Sequence, residues 1–280
     1  MKTIKKGIEV YRVEGLVGVT RRLLGRLGDL FRAIVYQILQ NLRFLEWYIF
    51  KLRHKSYGSA PTPTPTVESG SRNWREWGEI QENHLRTILA RTPGQAFLEV
   101  GIGGSPRIQR LRSMLANNVT YTGCDFSSVC ERHKKILQQE RINTGKMRFL
   151  SNRLGTYAWT LMELLRSGDQ FDVIYLDGHH TFYVDLPAVM LCHFLLKPGG
   201  YFLLDDILWT LNFMKRQLYN MPGEWFFYRK VYDFASYEDE QQSMPHIKMM
   251  AEATLIERLG YQKIEQYSTP GWWTLRKPIR

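Results

Sequence analysis

The chain has 280 residues, of which 44% are hydrophobic, enough to bury a substantial core in one domain or two. Its three cysteines form no C-x-x-C pair, which argues against a disulfide framework and against a structural zinc site. The formal net charge is +11, but residues 1–60 hold 12 Lys or Arg against 4 Asp or Glu, an excess of 8. No Arg-rich run with interleaved aromatics follows, so no nucleic-acid partner is expected.

Residues 1–56 are predicted to form a basic amphipathic helical extension. Apolar residues recur at helical spacing from Phe31 to Ile49, but Arg32, Arg43 and Glu46 interrupt them, so the segment fails as a membrane-spanning helix. No secretory signal is visible, and the expected location is the cytoplasm, with peripheral membrane attachment as an alternative. The pattern leaves three uses open: packing on the main domain or dimerisation, a membrane interface, and another partner surface.

The segment YGSAPTPTPTVESG, residues 57–70, is predicted to be a semi-rigid linker, because alternating Pro and Thr favour extended polyproline geometry. Helix and strand signals then alternate through the main domain, residues 71–280, which predicts an α/β fold with a parallel sheet and helices on both faces. The two last segments, YQKIEQYS and GWWTLRK, are predicted to add antiparallel strands. The predicted strands before them are 96–100, 119–125, 147–151, 171–177 and 201–206; the predicted helices are 73–91, 106 onward, 128–141, 157–167, 184–196 and 247–259.

A glycine-rich turn, GIGG, follows the first strand at the place of a nucleotide-binding loop. The dinucleotide fingerprint G-x-G-x-x-G fails here, since its last position is Pro106. Two residues before the first glycine, Glu99 can meet the cation or amine of a zwitterionic cofactor. At the end of the second strand, Asp125 is placed to hydrogen-bond to ribose hydroxyls. Together these acids favour a positively charged nucleoside cofactor over a pyrophosphate ligand.

Three carboxylates follow two further strands. Asp177 ends the fourth strand, and Asp205 and Asp206 end the fifth. The carboxyl ends of parallel strands converge at the ligand crevice, so these side chains can approach one another. Gathered carboxylates repel, and oxygen-only ligands suit Mg²⁺, with Mn²⁺ or Ca²⁺ as alternatives. The competing interpretation is that Asp177 is a turn former and that Asp205 and Asp206 are a polar strand end.

The motifs LEVGIGG, GCD, FDVIYLDGHHTF and LLKPGGYFLLDD resemble the class I S-adenosylmethionine methyltransferases. More narrowly, DGHHTF with KPGG and Asp-Asp resembles the metal-dependent O-methyltransferases of catechol and macrolide-sugar type. The resemblance covers residues 73–277 and implies a Rossmann-like, doubly wound, seven-stranded sheet with an antiparallel last strand. A third alternating glycine is common in the family, whereas position 105 is Ser here. The resemblance implies that S-adenosylmethionine contacts Glu99, Gly101, Gly103 and Asp125, with Ser151 or Asn152 near the adenine.

The resemblance also implies a divalent metal and a general base three residues after the first metal-binding aspartate, where this chain has His180. Neutral imidazole can accept a proton near physiological pH. His179 is a second candidate for the base or for a substrate contact, and Asp177 is the candidate base if no metal binds. The aromatic-rich segment 207–246 is predicted to be a lid over the acceptor.

The expected function is therefore methyl transfer from S-adenosylmethionine to a hydroxyl of a small molecule or glycan, assisted by Mg²⁺. Two alternatives stay open. One is a metal-independent methyltransferase, and the other is a non-catalytic protein that docks on a membrane or a complex and has a degenerate site.

Overall fold

The computed structural model describes residues 73–91, 94–152, 156–220 and 234–279, with eight isolated positions between 24 and 52. Most of the 1–56 extension, the whole 57–70 linker and residues 221–233 of the predicted lid lie outside the described residues. The chain divides into two compact units, Met1–Pro61 with Lys215–Val231, and Thr62–Met214 with Tyr232–Arg280. Among the described residues, no helix is long and apolar enough to cross a bilayer.

Seven strands form one sheet in the second unit. They are β1 (Ala96–Val100), β2 (Thr120–Phe126), β3 (Met147–Asn152), β4 (Phe171–Leu176), β5 (Leu196–Leu204), β6 (Gln262–Lys263) and β7 (Trp273–Arg276). Their order is β3-β2-β1-β4-β5-β7-β6. Strands β1 to β5 are parallel, β7 is antiparallel to β5, and β6 is antiparallel to β7. This confirms the predicted Rossmann-like sheet with its antiparallel end.

The helices alternate with the strands, as predicted. They are α1 (Asn73–Ala90), α2 (Ile108–Ala116), α3 (Ser127–Gln139), α4 (Tyr157–Arg166), α5 (Phe182–Leu195), α6 (Leu211–Asn220), α7 (Asp239–Ser243) and α8 (His246–Met250). Most of their bounds differ from the predicted ones by only one or two residues.

Three predicted elements were wrong in detail. The segment YQKIEQYS is not one strand: only Gln262–Lys263 pairs, and a 3₁₀ turn at Glu265–Tyr267 then carries the Tyr267 side chain into the core. The predicted helix 247–259 is α8 followed by a π-helical turn, Ala251–Ile256. The predicted turn 197–200 lies inside β5, which has a register irregularity opposite Phe171 and Val173.

Both faces of the sheet are buried, which explains the near-continuous apolar run of β4. Successive side chains of β4 point to opposite faces. Ile174 and Leu176 pack in one cluster with α4 and α5, whereas Val173 and Tyr175 pack in another with α1 and α2. Helices thus cover both faces of the sheet. The carboxyl ends of β1, β2, β4 and β5 lie side by side at one edge, and the candidate site is there.

Candidate functional site

Backbone hydrogen bonds continue past the strand ends and align the site segments. Gly101 N donates to Cys124 O (2.9 Å), Asp177 N to Val100 O (2.8 Å) and Asp205 N to Leu176 O (3.1 Å). The sheet register thus extends by one residue beyond β1, β4 and β5. The glycine-rich turn and the acids after β4 and β5 are neighbours for this reason.

The glycine-rich turn lies so close to the chain after β4 that position 101 has no room for a side chain. Gly101 has φ +81°, and a Cβ added to it would collide with the carbonyl oxygen of Asp177. Gly103 also has a positive φ, +69°, but an added Cβ would meet nothing within 4 Å. Gly101 is therefore required by packing as well as by conformation, and Gly103 by conformation alone.

The Asp125 carboxylate holds this turn in place. Its Oδ2 accepts hydrogen bonds from the backbone N–H groups of Ile102 (2.9 Å) and Gly103 (3.2 Å), and its Oδ1 accepts one from Phe126 N–H (2.6 Å). Burial raises the pKa of Asp125, and these three donors oppose that shift. The acid lies at the turn, and the same carboxylate spans the ends of β1 and β2.

Glu99 is buried on the α2 side of the sheet, where its two carboxylate oxygens have protein partners. Oε1 pairs with Arg110 Nη1 at 2.7 Å, and Oε2 accepts a hydrogen bond from Tyr121 Oη at 2.6 Å. The buried Arg110 guanidinium also pairs with Glu82 of α1. The structure therefore places Glu99 in a buried charge network that fastens α1 and α2 to the sheet.

Removing one partner of that network should destabilise the fold. Tyr121→Phe leaves Glu99 Oε2 without its donor, and we expect the free energy of unfolding to fall by about 1–3 kcal/mol. Urea denaturation measures this change. Tyr201→Phe is the matched control, because its hydroxyl accepts only a long bond (3.4 Å) from exposed Arg91. Equal losses for the two variants would contradict the buried network's importance.

Ser151 and Asn152 lie at the carboxyl end of β3, opposite Asp125 and Phe126 of β2. The Ser151 residue is exposed. These two positions are thus on the same edge of the sheet as the glycine-rich turn.

A compact cluster of donors follows β4 and β5. One ligand atom each of Asp177, His180 and Asp206 lies within 4.8 Å of the others. His180 Nε2 is 3.7 Å from Asp177 Oδ1 and 3.4 Å from Asp206 Oδ2. The structure thus brings together two of the three predicted metal ligands and the predicted base.

Asp205 is held differently from Asp206, although the two are adjacent in sequence. Its Oδ2 accepts a hydrogen bond from the buried Tyr175 hydroxyl, and its Oδ1 accepts one from Asp206 N–H (2.9 Å). The Tyr175 ring stacks on Trp272 (centroids 5.1 Å apart) and also lies near two guanidinium groups, those of Arg107 and Arg110. Asp205 is thus directed towards the α2 side of the sheet.

An unusual backbone directs the cluster. His180 and Asp206 have φ values of +59° and +49°, a region that residues other than glycine rarely occupy. The fully buried Asp185 of α5 stabilises the first of these turns, since its two oxygens accept hydrogen bonds from His179 N–H and Thr181 N–H, each 3.2 Å. Strain of this kind is common at functional sites.

The carboxyl groups of the cluster are costly to ionise together. Burial, and then the negative charge of Asp205, raises the pKa of Asp177 and of Asp206 well above their usual range. Arg107 opposes the shift, with Nη2 at 4.0 Å from Asp177 Oδ2. Burial lowers the pKa of His180 to about 3, with His179 adding a smaller repulsion, so the imidazole is neutral at pH 7.

His179 points to a different part of the site. Its ring lies against Tyr157 of α4, with centroids 5.8 Å apart, and burial lowers its pKa to about 4. The structure thus places the His179 side chain in contact with α4, whereas His180 faces Asp177 and Asp206.

Aromatic side chains from the predicted lid pack against the cluster. Trp209 packs on His180 with ring centroids 5.0 Å apart, and Phe213 packs on Trp209 at 4.8 Å. The Trp209 Nε1 donor is buried and has no hydrogen-bond partner among the described residues. The other lid aromatics, from Tyr219 to Tyr232, have side chains outside the described residues.

Sequence reasoning missed several residues that shape the site: Tyr175, Asp185, Arg107 and Arg110. Two signals could have found some of them. An acid in the first turn of α5, directly after the His-His turn, is a typical acceptor for loop amides. Alternation along β4 places Tyr175 on the face opposite Leu176.

No protein-family model matches the chain, and no curated protein matches it. Solved structures do resemble it. The DszA carbon methyltransferase is 17% identical with a TM-score of 0.50, and the match covers 75% of this chain and 56% of DszA.

Two further structures have lower TM-scores. An O-methyltransferase family protein from Burkholderia thailandensis is 15% identical, with a TM-score of 0.44 over 73% of this chain. The MycE methyltransferase of the mycinamycin pathway, solved with Mg and SAH, is 14% identical, with a TM-score of 0.43 over 83% of this chain. The chain spans only 56% and 54% of these two proteins. The likeness to DszA and the strand order show that this chain has a Rossmann-like fold, the fold that DszA also has.

Proposed function

We propose that this protein transfers a methyl group from S-adenosylmethionine to a hydroxyl of a small molecule or sugar, with the help of a divalent metal. The observation that carries the proposal is the contact between the glycine-rich turn, the proposed cofactor site, and the cluster of Asp177, His180 and Asp206, the proposed metal site. The glycine-rich turn touches the backbone of Asp177, and the side chains of Asp177, His180 and Asp206 gather beside it.

The geometry of the glycine-rich turn is evidence for the binding of a nucleoside cofactor. The positive φ values of Gly101 and Gly103 expose a side-chain-free backbone, with open space at Gly103. Asp125 and the end of β3, with Ser151 and Asn152, lie along the same edge. Glu99 already pairs with Arg110 and Tyr121. We therefore propose that Glu99 holds the glycine-rich turn in place and that the backbone of the turn contacts the cofactor.

The cluster of Asp177, His180 and Asp206 is evidence for the binding of a divalent cation. We propose that Asp177 and Asp206 hold it, since their carboxylates are close and costly to ionise together without a counter-charge. Asp205, which accepts bonds from Tyr175 and from the backbone, is assigned to orienting the cluster. A bound Mg²⁺ or Mn²⁺ would lower the pKa of the acceptor hydroxyl and fix its position.

His180 is the proposed proton acceptor. Its Nε2 faces both carboxylates, and burial keeps the ring neutral at pH 7 while making it a weaker base. Ionised Asp177 and Asp206 would stabilise the imidazolium as it forms. The methyl transfer itself is a direct displacement, so the remaining task of the chain is to align the reactants and exclude water.

Trp209 is the proposed wall of the acceptor pocket, since it packs on His180 and has a buried donor with no partner in the described part of the chain. We expect Trp209→Ala to raise the KM for the acceptor by about tenfold or more, because an aromatic face and a hydrogen-bond donor are both lost. Steady-state kinetics measures this change. Phe194→Ala, at an exposed position on α5, is the control, and an unchanged KM in Trp209→Ala would contradict the assignment.

Calorimetry and an activity screen test the proposed function. The full chain should bind S-adenosylmethionine, and methyl transfer from labelled cofactor to a panel of catechols and glycosides should stop on adding EDTA and return with Mg²⁺. Failure to bind S-adenosylmethionine would overturn the proposal.

A metal-independent methyltransferase is the second candidate. The observation that favours it is Arg107, whose guanidinium lies 4.0 Å from Asp177 and gives that carboxylate a cationic neighbour without a metal. Methyl transfer that is unaffected by EDTA would select this candidate.

A further inference from the structure

Exposed apolar side chains recur at helical spacing in the N-terminal unit. Leu24, Leu27 and Phe31 have helical backbone, and intervals of three and four residues place side chains on one helix face. These side chains are 63%, 54% and 68% exposed. We call them the first apolar stripe.

A second apolar stripe follows in the same unit. Its members are also helical and exposed, and they recur at the spacing i, i+3, i+4, i+7. They are Leu45, Tyr48, Ile49 and Leu52. Two such faces in one short stretch are more apolar surface than scattered single exposed residues provide.

The charge of the same stretch is strongly positive. Residues 1–60 hold 12 Lys or Arg against 4 Asp or Glu, an excess of 8, which leaves an excess of 3 for the remaining 220 residues. Exposed apolar side chains at helical positions within a basic stretch of sequence are the combination that binds the interface of an anionic membrane.

We propose that the N-terminal unit binds an anionic membrane surface through the two apolar stripes, with the net positive charge of residues 1–60 attracting the lipid phosphates. Charge selects lipid over a second copy of the chain as the occupant. Two copies would each bring an excess of 8 positive charges to the contact and repel, whereas anionic headgroups attract them. The inference does not depend on the proposed methyl transfer.

Sedimentation with lipid vesicles tests the proposal on the full-length chain. We expect binding to vesicles of phosphatidylcholine mixed with phosphatidylglycerol at least about tenfold tighter than to phosphatidylcholine alone, weakening as salt rises. Absence of binding to the mixed vesicles, or equal binding to both, would overturn it.

Matched variants locate the contact. The triple substitution Leu24→Ser, Leu27→Ser, Phe31→Ser should lower partition into the mixed vesicles by about tenfold or more, because three inserted side chains are lost. The control triple, Trp159→Ser, Met162→Ser, Phe194→Ser, removes comparably exposed side chains (65%, 43% and 53%) from the second unit and should leave partition unchanged. Equal loss in both triples would contradict the proposal. So would a concentration-dependent dimer that the first triple abolishes while vesicle binding persists.

Discussion

Asp177→Asn and Asp206→Asn are each expected to lower the methyl-transfer rate by roughly 10²- to 10³-fold and to abolish tight Mn²⁺ binding. Each substitution keeps the shape of the side chain but removes one of the negative charges that face each other beside His180. Calorimetry with Mn²⁺ measures binding without any acceptor, and single-turnover assays measure the rate.

Asp205→Asn is the matched control for these variants. Its amide oxygen can still accept the hydrogen bond from Asp206 N–H, and its NH2 group can donate to the Tyr175 hydroxyl oxygen, so we expect Mn²⁺ binding to persist and the rate to fall far less. His180→Gln should bind Mn²⁺ and yet lose methyl transfer. If Asp205→Asn loses the metal as completely as Asp206→Asn, all three aspartates are ligands and the assignment of Asp205 is wrong.

Gly101→Ala should be the most destabilising single-methyl change in the site. Its left-handed backbone costs any other residue about 1–2 kcal/mol, and the added Cβ also collides with the Asp177 carbonyl. We expect the free energy of unfolding to fall by more than about 4 kcal/mol, together with loss of S-adenosylmethionine binding. Urea denaturation and calorimetry measure the two effects.

Gly103→Ala separates conformation from collision. It has the same left-handed backbone but open space at the new Cβ, so the expected loss is only about 1–2 kcal/mol. Similar losses at positions 101 and 103 would show that the turn can move away from Asp177.

The sheet could be predicted from sequence because each strand is a short apolar run bounded by turn residues. For FDVIYLD and YFLLDD, burial on both faces leaves little ambiguity about length or type. The last two strands were less predictable. YQKIEQYS alternates like a strand, but Tyr267 turns into the core and only two residues pair.

The site was predictable in position but not in its contacts. The chain order of strands fixes that the acids meet, whereas the direction of each side chain depends on partners far along the chain. Glu99 pairs with Arg110 and Tyr121, 11 and 22 residues away. The side chains of Asp205 and Asp206 have different partners, and Asp206 has a positive φ that no local sequence pattern predicts.

The position of β7 has a consequence for synthesis on the ribosome. Until residues 272–276 emerge, β5 is an open edge, and the Tyr175 ring lacks the indole of Trp272 that stacks on it. A nascent chain at this stage presents unpaired backbone amides and an apolar ring to its surroundings, which invites misassociation. The edge of the sheet beside Asp205 therefore stays open until β7, which follows β5 by about 70 residues in the chain, has been made.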